Sequence, residues 1–418
     1  MKRLLLSVAT VAVAITTTLA QTKVNDKITI YELDNSKLHV YQTGDAMGDV
    51  SFVVEGEKSL VILEQPLFWS NIEEFNSYVE GLDKPIDKVV ANYHFLGLAN
   101  YPSSKVMVPA QMIEFSKSPM AQGMLAKFQK GFGEAADFRM PKKMKGFAVP
   151  STQKWGGVEM TFIPGNSTDF PAASIHIDGK AFYTHFAVAR GHANPMQLKS
   201  RESLTQILDQ LQKMRASGAE YIVASHGPAA TQAEVDFQIE YFETVQRLLD
   251  ECPTSDLFGQ RLIVAFPSSL PGIENVKAIS KALYSDEKID DEVEALRGRM
   301  NDYLSMVSDL DLEIAKGLWA TSGNISIITP RSQFFGFESI MNDFLIKAFS
   351  SFQSRKLSSL SEVINIYGDS ANIQLYWNFD TVDAKGEKRQ GRGRESLIFS
   401  KCSGEWRLVH VHYSPMPL

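Results

Sequence analysis

The sequence predicts two domains, an α/β domain followed by an α+β domain, and two observations carry this. From Lys27 to about Asp250 short strands alternate with amphipathic helices. From about Arg297 the order changes, with helices first and a run of strands closing the chain. The length of 418 residues allows roughly two to three domains of ordinary size.

The first domain begins with short strands. Leu38 to Tyr41 is one; Asp49 to Val54 and Ser59 to Leu63 flank Glu55-Gly56-Glu57-Lys58, a hairpin by its turn chemistry. A helix from Asn71 to Leu82 follows, with Ile72, Phe75, Tyr78 and Val79 forming an i, i+3, i+4 stripe. The strand Ile86 to Ala91 then runs into Asn92-Tyr93-His94-Phe95-Leu96-Gly97, a strand-to-loop exit of the kind on which α/β proteins place chemistry. Residues 106–149 lose periodicity and are studded with Met107, Met112, Met120, Met124, Met140 and Met144, which predicts helical packing over a core edge. Strands resume at Val158 to Ile163, Ala173 to Asp178 and Lys180 to Thr184, the last two joined by the Asp178-Gly179 turn. A helix from Arg201 to Ala216, the strand Tyr221 to Ala224 ending in Ser225-His226-Gly227-Pro228, and a helix from Thr231 to Asp250 complete the unit. Leu257 to Asp291, with Pro267, Pro271 and Gly272, reads as a tail and connector.

In the second domain a long helix (Met300 to Lys316) precedes a strand, Ile325 to Thr329, and a helix, Phe337 to Phe349. Strands follow at Leu357 to Tyr367, Ala371 to Phe379, Gly391 to Ser400 and Glu405 to Ser414. Strict alternation in the last places Trp406, Leu408, His410, His412 and Ser414 on one face, and Arg392, Arg394 and Ser396 share a face of its neighbour.

Residues 1–20 have a basic start (Lys2, Arg3), an apolar run and a small-residue exit at Thr18-Leu19-Ala20, the pattern of a secretory signal peptide. The mature chain is therefore expected to be exported, periplasmic or secreted, with no stable membrane insertion. A formal charge of −7 becomes −7 − 2 = −9 without Lys2 and Arg3, which argues against a nucleic-acid partner. Cys252 and Cys402 are the only cysteines, too few for a disulfide scaffold, and two unpaired buried thiols are expected.

The order of elements and the loop after Ala91 resemble the metallo-β-lactamase fold, whose signature at this point is His-x-His-x-Asp-His. The resemblance implies an αββα sandwich. Its four ligand positions here read Asn92, His94, Leu96 and Gly97; the next His falls on Asn166 in Pro164-Gly165-Asn166, the bridging Asp on His185, and the last His on His226. Glu64 stands where the fold places an acidic support for the metal loops. Leu96 removes a carboxylate, and amides at Asn92 and Asn166 cannot replace imidazoles, so the dinuclear zinc site is lost and the site is degenerate. Three histidines, His94, His185 and His226, remain at positions that converge on one cleft in the family. They either hold a single zinc or are satisfied by Asn92, Asn166 and Ser225, with His192 a surface residue at the cleft edge.

The helix-then-strands pattern ending in Trp406-Arg407-Leu408-Val409-His410-Val411-His412-Tyr413-Ser414 resembles the α+β cone of the nuclear transport factor 2-like (NTF2-like) family, in particular its SnoaL-like branch. That resemblance implies a conical cavity, assigned to Arg394, His410, His412, Ser414, Trp377 and Trp406, and a homodimer through this domain. The domain plan is thus a signal peptide at 1–20, a metallo-β-lactamase-like domain at 21–255, a tail and connector at 256–296 and a SnoaL-like domain at 297–418. The favoured reading is a small-molecule-binding or sensing protein without a cofactor, on a shell that has lost its ions. Two enzyme readings stand beside it, a mononuclear metal-dependent hydrolase using His94, His185 and His226, and a SnoaL-like isomerase or cyclase using Arg394, His410 and His412.

Overall fold

The computed structural model describes residues 21–416 except 141–143, 268, 286–289 and 322; the signal-peptide pattern lies outside the described residues. The protein is a multi-sheet α/β chain that ends in an α+β cone. It divides into two compact units, Met1–Val188 with Met214–Gln232, and Ala189–Lys213 with Ala233–Leu418.

The first unit is built on two sheets. The larger has eight strands in sequence order: β1 (Gln21–Lys23), β2 (Ile28–Glu32), β3 (Lys37–Gln42), β4 (Val50–Glu55), β5 (Leu60–Leu63), β6 (Ile86–Val90), β7 (Val106–Pro109) and β8 (Lys145–Phe147). Pairing is antiparallel up to β5 and parallel beyond it. The switch occurs where the helix α1 (Trp69–Glu80) enters, because a crossover is needed to bring the chain back parallel. The α1 stripe does bury Ile72, Phe75 and Val79, while Tyr78 is half-buried.

The second sheet has the order β13-β12-β11-β10-β9, from β9 (Ser151–Trp155), β10 (Val158–Pro164), β11 (Ala173–Ile177), β12 (Ala181–Phe186) and β13 (Tyr221–His226). Both sheets contribute to one apolar core, with Phe52, Val61 and Val90 from the first against Phe162, Ile175 and Tyr183 from the second. The β9–β10 hairpin escaped the sequence reading. Its turn, Gly156-Gly157, has φ of +63° and +83°, a conformation in which Gly avoids the Cβ penalty. At the Asp178-Gly179 turn the Asp178 carboxylate accepts from Asn35 N (2.6 Å), Asn35 Nδ2 (3.1 Å) and Ser36 Oγ (2.7 Å), tying this turn to the β2–β3 turn of the other sheet.

The methionine-rich stretch is more regular than its sequence predicts. It holds β7, α2 (Ala110–Phe115) and α3 (Pro119–Phe132). Met107 and Met112 enter the core, whereas no side chain of α3 is fully buried and Met120 is 66% exposed. Two long helices, α4 (Arg201–Ser217) and α5 (Gln232–Glu251), span the boundaries between units.

In the second unit the predicted connector is helical, with α6 (Ser255–Ala265) and α7 (Val276–Leu283). Pro267, Pro271 and Gly272 merely separate the two. The predicted long helix is two, α8 (Asp291–Asp309) and α9 (Leu312–Leu318), because Asp311 caps Glu313 N (2.8 Å) and Ile314 N (3.1 Å) and starts a new helix while Leu310 turns left-handed at φ +57°. A six-stranded sheet follows, in the order β15-β14-β19-β18-β17-β16, from β14 (Ser326–Ile328), β15 (Gln333–Phe335), β16 (Phe352–Tyr367), β17 (Ser370–Asp383), β18 (Lys388–Cys402) and β19 (Glu405–Met416). Between β15 and β16 the chain makes a π-helical segment (Ser339–Leu345) continued by α10 (Ile346–Phe349). One core joins these helices to the sheet through Trp319, Leu345, Trp377, Phe399 and Val411. Glu362, 1% exposed, pairs with Lys277 Nζ (2.8 Å) and Arg297, which fixes α7 and α8 on β16. Cys252 is buried but Cys402 is exposed, against the expectation of two buried thiols, and both are free.

A β-bulge changes the reading of the terminal strand. Ile398 pairs with His410 but Phe399 pairs with Leu408, so Val409 is an extra residue. Past such a bulge every side chain changes face. Trp406 and Leu408 therefore share the buried face with Val411 and Tyr413, and His410, His412 and Ser414 lie on the other.

Candidate metal centre and cone cavity

His94, His185 and His226 come from three strand exits of the first unit, the loop after β6 and the ends of β12 and β13. Parallel pairing of β12 with β13 sets Phe186 opposite His226, which brings the last two histidines to one sheet end. Each of the three offers one ring nitrogen, and these atoms all lie within 4.8 Å of one another. Ring centroids are 5.9 Å apart for His94–His185, 5.1 Å for His94–His226 and 5.2 Å for His185–His226.

Behind each ring stands a carboxylate. Asp169 Oδ2 is 2.5 Å from His185 Nδ1, Asp49 Oδ1 is 3.4 Å from His226 Nδ1, and Glu64 Oε2 is 3.7 Å from His94 Nδ1. Of the three only Asp169 is hydrogen-bonded to its histidine, which orients the His185 ring and selects its tautomer, leaving the other nitrogen free to ligate. Glu64 is fully buried and also holds the loop, accepting from Tyr93 N (2.7 Å), His94 N (3.0 Å) and Tyr183 Oη (2.6 Å). Tyr93 stacks flat on His185 with centroids 4.3 Å apart, fixing that ring from its face.

Burial favours the neutral form of two of the rings, His185 and His226. Burial lowers the His185 pKa against the opposing pull of Asp169, and burial with the neighbouring His94 and His185 pushes His226 down to about 3. Burial also raises Asp49. Neutral imidazole is the form that binds a metal. His94 Nδ1 and Asp49 Oδ1 are buried with no hydrogen-bond partner. Three convergent imidazoles, two orphaned polar atoms and a carboxylate near each ring fit a borderline divalent ion such as zinc.

The side chains expected to satisfy the histidines are engaged elsewhere. Asn92 donates to Ala173 O (2.8 Å) and accepts from Ala173 N (2.9 Å), so it clips the loop to β11. Asn166 Oδ1 accepts from Thr168 N and Thr168 Oγ1, and Ser225 Oγ bonds Tyr183 Oη. Gly97 has φ +74°, and a Cβ there would stand 2.4 Å from Pro66 O, so no side chain fits at that position. His192 is buried in the second unit with Nδ1 3.3 Å from Tyr241 Oη, not a surface residue. Asp49 and Asp169 escaped the sequence reading, since nothing local marks an Asp as a partner of a remote histidine.

In the second unit the cone encloses a cavity of about 40 Å³ between the helices and the sheet. Of the six residues assigned to it from sequence, Trp377 alone lines it. Arg394 is exposed and bonds Ser414 Oγ (3.3 Å), His410 Nδ1 pairs with Ser326 Oγ (2.8 Å), and His412 is exposed, all on the face opposite the cavity. Trp406 packs in the core beside it. These placements remove the basis for an isomerase built on Arg394, His410 and His412. The cavity instead receives Glu395, 6% exposed, with Tyr303 Oη donating to it at 2.5 Å, and Arg355. Glu395 was legible: it interrupts the inward apolar series Leu397 and Phe399 on β18.

Burial pushes the Glu395 pKa up to about 7, above its ordinary 4.5. Between these values the unfolded chain has released this proton and the folded chain retains it, so stability falls as pH rises through the window, by on the order of 3 kcal/mol. Glu395→Gln is expected to flatten that fall, checked by urea unfolding of the second unit at about pH 5 and about pH 8. An unchanged slope would show that Glu395 ionises freely in the fold.

The terminal domain is NTF2-like, an α+β cone. Within it residues 338–417 match the calcium/calmodulin dependent protein kinase II association domain family. Among solved structures the chain is similar to an NTF2-like superfamily protein from Salmonella enterica subsp. enterica serovar Typhimurium str. LT2, with 29% identity over 30% of this chain and 91% of that one, at a TM-score of 0.29. It is also similar to a conserved protein from Planctomyces limnophilus DSM 3776 (19% identity, 30% and 98% of the two chains, TM-score 0.27). A third is a protein with a cystatin-like fold from Caulobacter vibrioides (16%, 31% and 92%, TM-score 0.28). No curated protein matches the chain. Among the described residues no helix is long and apolar enough to cross a membrane.

Proposed function

We propose that the first unit is a mononuclear metal-dependent hydrolase on a metallo-β-lactamase-like shell, with His94, His185 and His226 as the ligands. The observation that carries this is the convergence of three ring nitrogens within 4.8 Å, each ring backed by a carboxylate. A bound zinc would supply a water acidified to a pKa of about 7. The chain's own residues do the positioning. Asp169 and Tyr93 hold His185 from its edge and its face, Glu64 holds the His94 backbone, and Asp49 stands behind His226. Burial of His185 and His226 favours their unprotonated form near neutral pH. The binding or sensing reading without a metal gains no comparable support, because Asn92, Asn166 and Ser225 bond other partners.

The association family matched by residues 338–417 supports a homo-oligomer held through the terminal domain. The basic, apolar and small-residue pattern of residues 1–20 supports export.

Protein purified without chelator is expected to carry about one zinc per chain by elemental analysis. Its thermal unfolding should drop on chelation and recover on zinc addition, and any esterase or amidase activity should follow the metal. Negligible bound metal, together with an unfolding temperature indifferent to zinc, would overturn the assignment.

A further inference from the structure

We propose that the helix α3 and the aromatic side chains at its C-terminal end form a docking surface for an anionic phospholipid bilayer, on which the protein lies peripherally. The inference depends on neither the metal site nor the cone. It begins from a helix that the core does not use. Over its 14 residues α3 has no buried side chain. Yet Met120, Met124, Leu125, Phe128 and Phe132 recur at i, i+4, i+5, i+8 and i+12 and so share one face. None of the five joins the apolar core of the first unit or packs against it. Met120 is 66% exposed and the other four are half-buried. A stripe of this kind ordinarily faces a core; here it stays partly open to solvent.

Charge selects the occupant. Residues 105–154 hold nine basic and three acidic side chains, in a chain whose formal charge is −7. On α3 itself Lys127 and Lys130 are exposed, and the helix contains no acidic residue. Lys127 follows Met120 by seven residues and therefore stands two turns on along the same side of the helix. Its stem can lie along the edge of the apolar stripe while its ammonium reaches beyond it. An anionic bilayer meets both halves of this pattern, with headgroup charge for the lysines and an acyl boundary for the stripe. A second copy docked through the same face would set lysines against lysines.

The surface is formed in advance. Ser118 caps α3 by accepting from Ala121 N (3.2 Å), and Pro119 opens the helix. At the other end Phe132 packs on Phe68 with ring centroids 5.0 Å apart, and Asp137 N donates to Leu67 O (2.9 Å), which returns the chain to α1. Beside Phe68 the half-buried Trp69 lies under the Arg139 guanidinium, 4.9 Å from its ring. Indoles favour the headgroup level of a bilayer, and a guanidinium there meets phosphate. A helix already folded and held at both ends incurs little ordering cost on binding. At about 21 Å it is shorter than the roughly 30 Å hydrocarbon core, so it lies on the bilayer and does not cross it.

The test is sedimentation of the full chain with vesicles. Equimolar phosphatidylglycerol and phosphatidylcholine should carry the protein down, pure phosphatidylcholine should not, and about 0.5 M sodium chloride should release it. Lys127→Gln combined with Lys130→Gln should weaken binding about 30-fold, and Met120→Asn about tenfold. Both variants should unfold at the parent's temperature, because no α3 side chain is buried. No sedimentation with the anionic vesicles, equal sedimentation with the neutral ones, or undiminished binding in both variants would overturn the proposal. Loss of self-association in Met120→Asn by light scattering, without vesicle binding by the parent, would overturn it in favour of a second copy on this face.

Discussion

Glu64→Ala is expected to lower the stability of the first unit by about 3–5 kcal/mol, the largest single effect foreseen in this protein. The carboxylate is fully buried and receives three donors, Tyr93 N, His94 N and Tyr183 Oη, at 2.6 to 3.0 Å. Truncation strands the two backbone donors and leaves Tyr183 Oη with Ser225 Oγ alone. The backbone contributes little to the difference, because Glu64 already sits at φ +60° and alanine bears the same strain there. Glu64→Gln should recover only part of the loss, since its amide NH₂ must face a donor. Chemical unfolding should be followed with probes in each unit, because two units need not melt together. A Glu64→Ala variant within about 1 kcal/mol of the parent would mean that the His94 loop is held by other contacts.

Asp169→Asn should weaken zinc binding by about 10- to 100-fold without unfolding the unit. Asp169 touches His185 at Nδ1 and takes no part in the core, so its role is to position the ring. Two readouts separate positioning from general damage. Competition with a chromophoric chelator reports affinity, and the ¹⁵N shifts of the His185 ring report whether the tautomer with the proton on Nδ1 is lost. His176→Gln serves as the control; His176 bonds Gly179 O on a turn and should leave affinity unchanged. Unaltered affinity in Asp169→Asn would remove His185 from the proposed ligand set.

The stripe of α1, the Asp178-Gly179 hairpin and the long terminal strands could be read from the chain because each depends on residues within one or two turns of one another. The same local logic found the strand exits that carry His94, His185 and His226. It failed wherever a single residue redirected the chain. Asp311 restarts a helix and splits α8 from α9, and Val409 bulges out of β19 and turns His410 and His412 away from the cavity. The NTF2-like character of the terminal domain survived this, since the order of helices and strands does not depend on which face a side chain takes.

By itself the sequence determined the order of elements and the terminal cone. Only the tertiary structure decided what surrounds the remaining histidines and what lines the cone. Asp49 and His226 meet across a β-bridge between segments far apart in the chain, and Asp169 reaches His185 from a loop between strands. Glu395, Arg355, Trp319 and Trp377 converge from three strands and a helix end. Such meetings are set by register and packing, and a shift of one residue exchanges the inside of a sheet for the outside. The periodicity of a single strand carries no record of that choice.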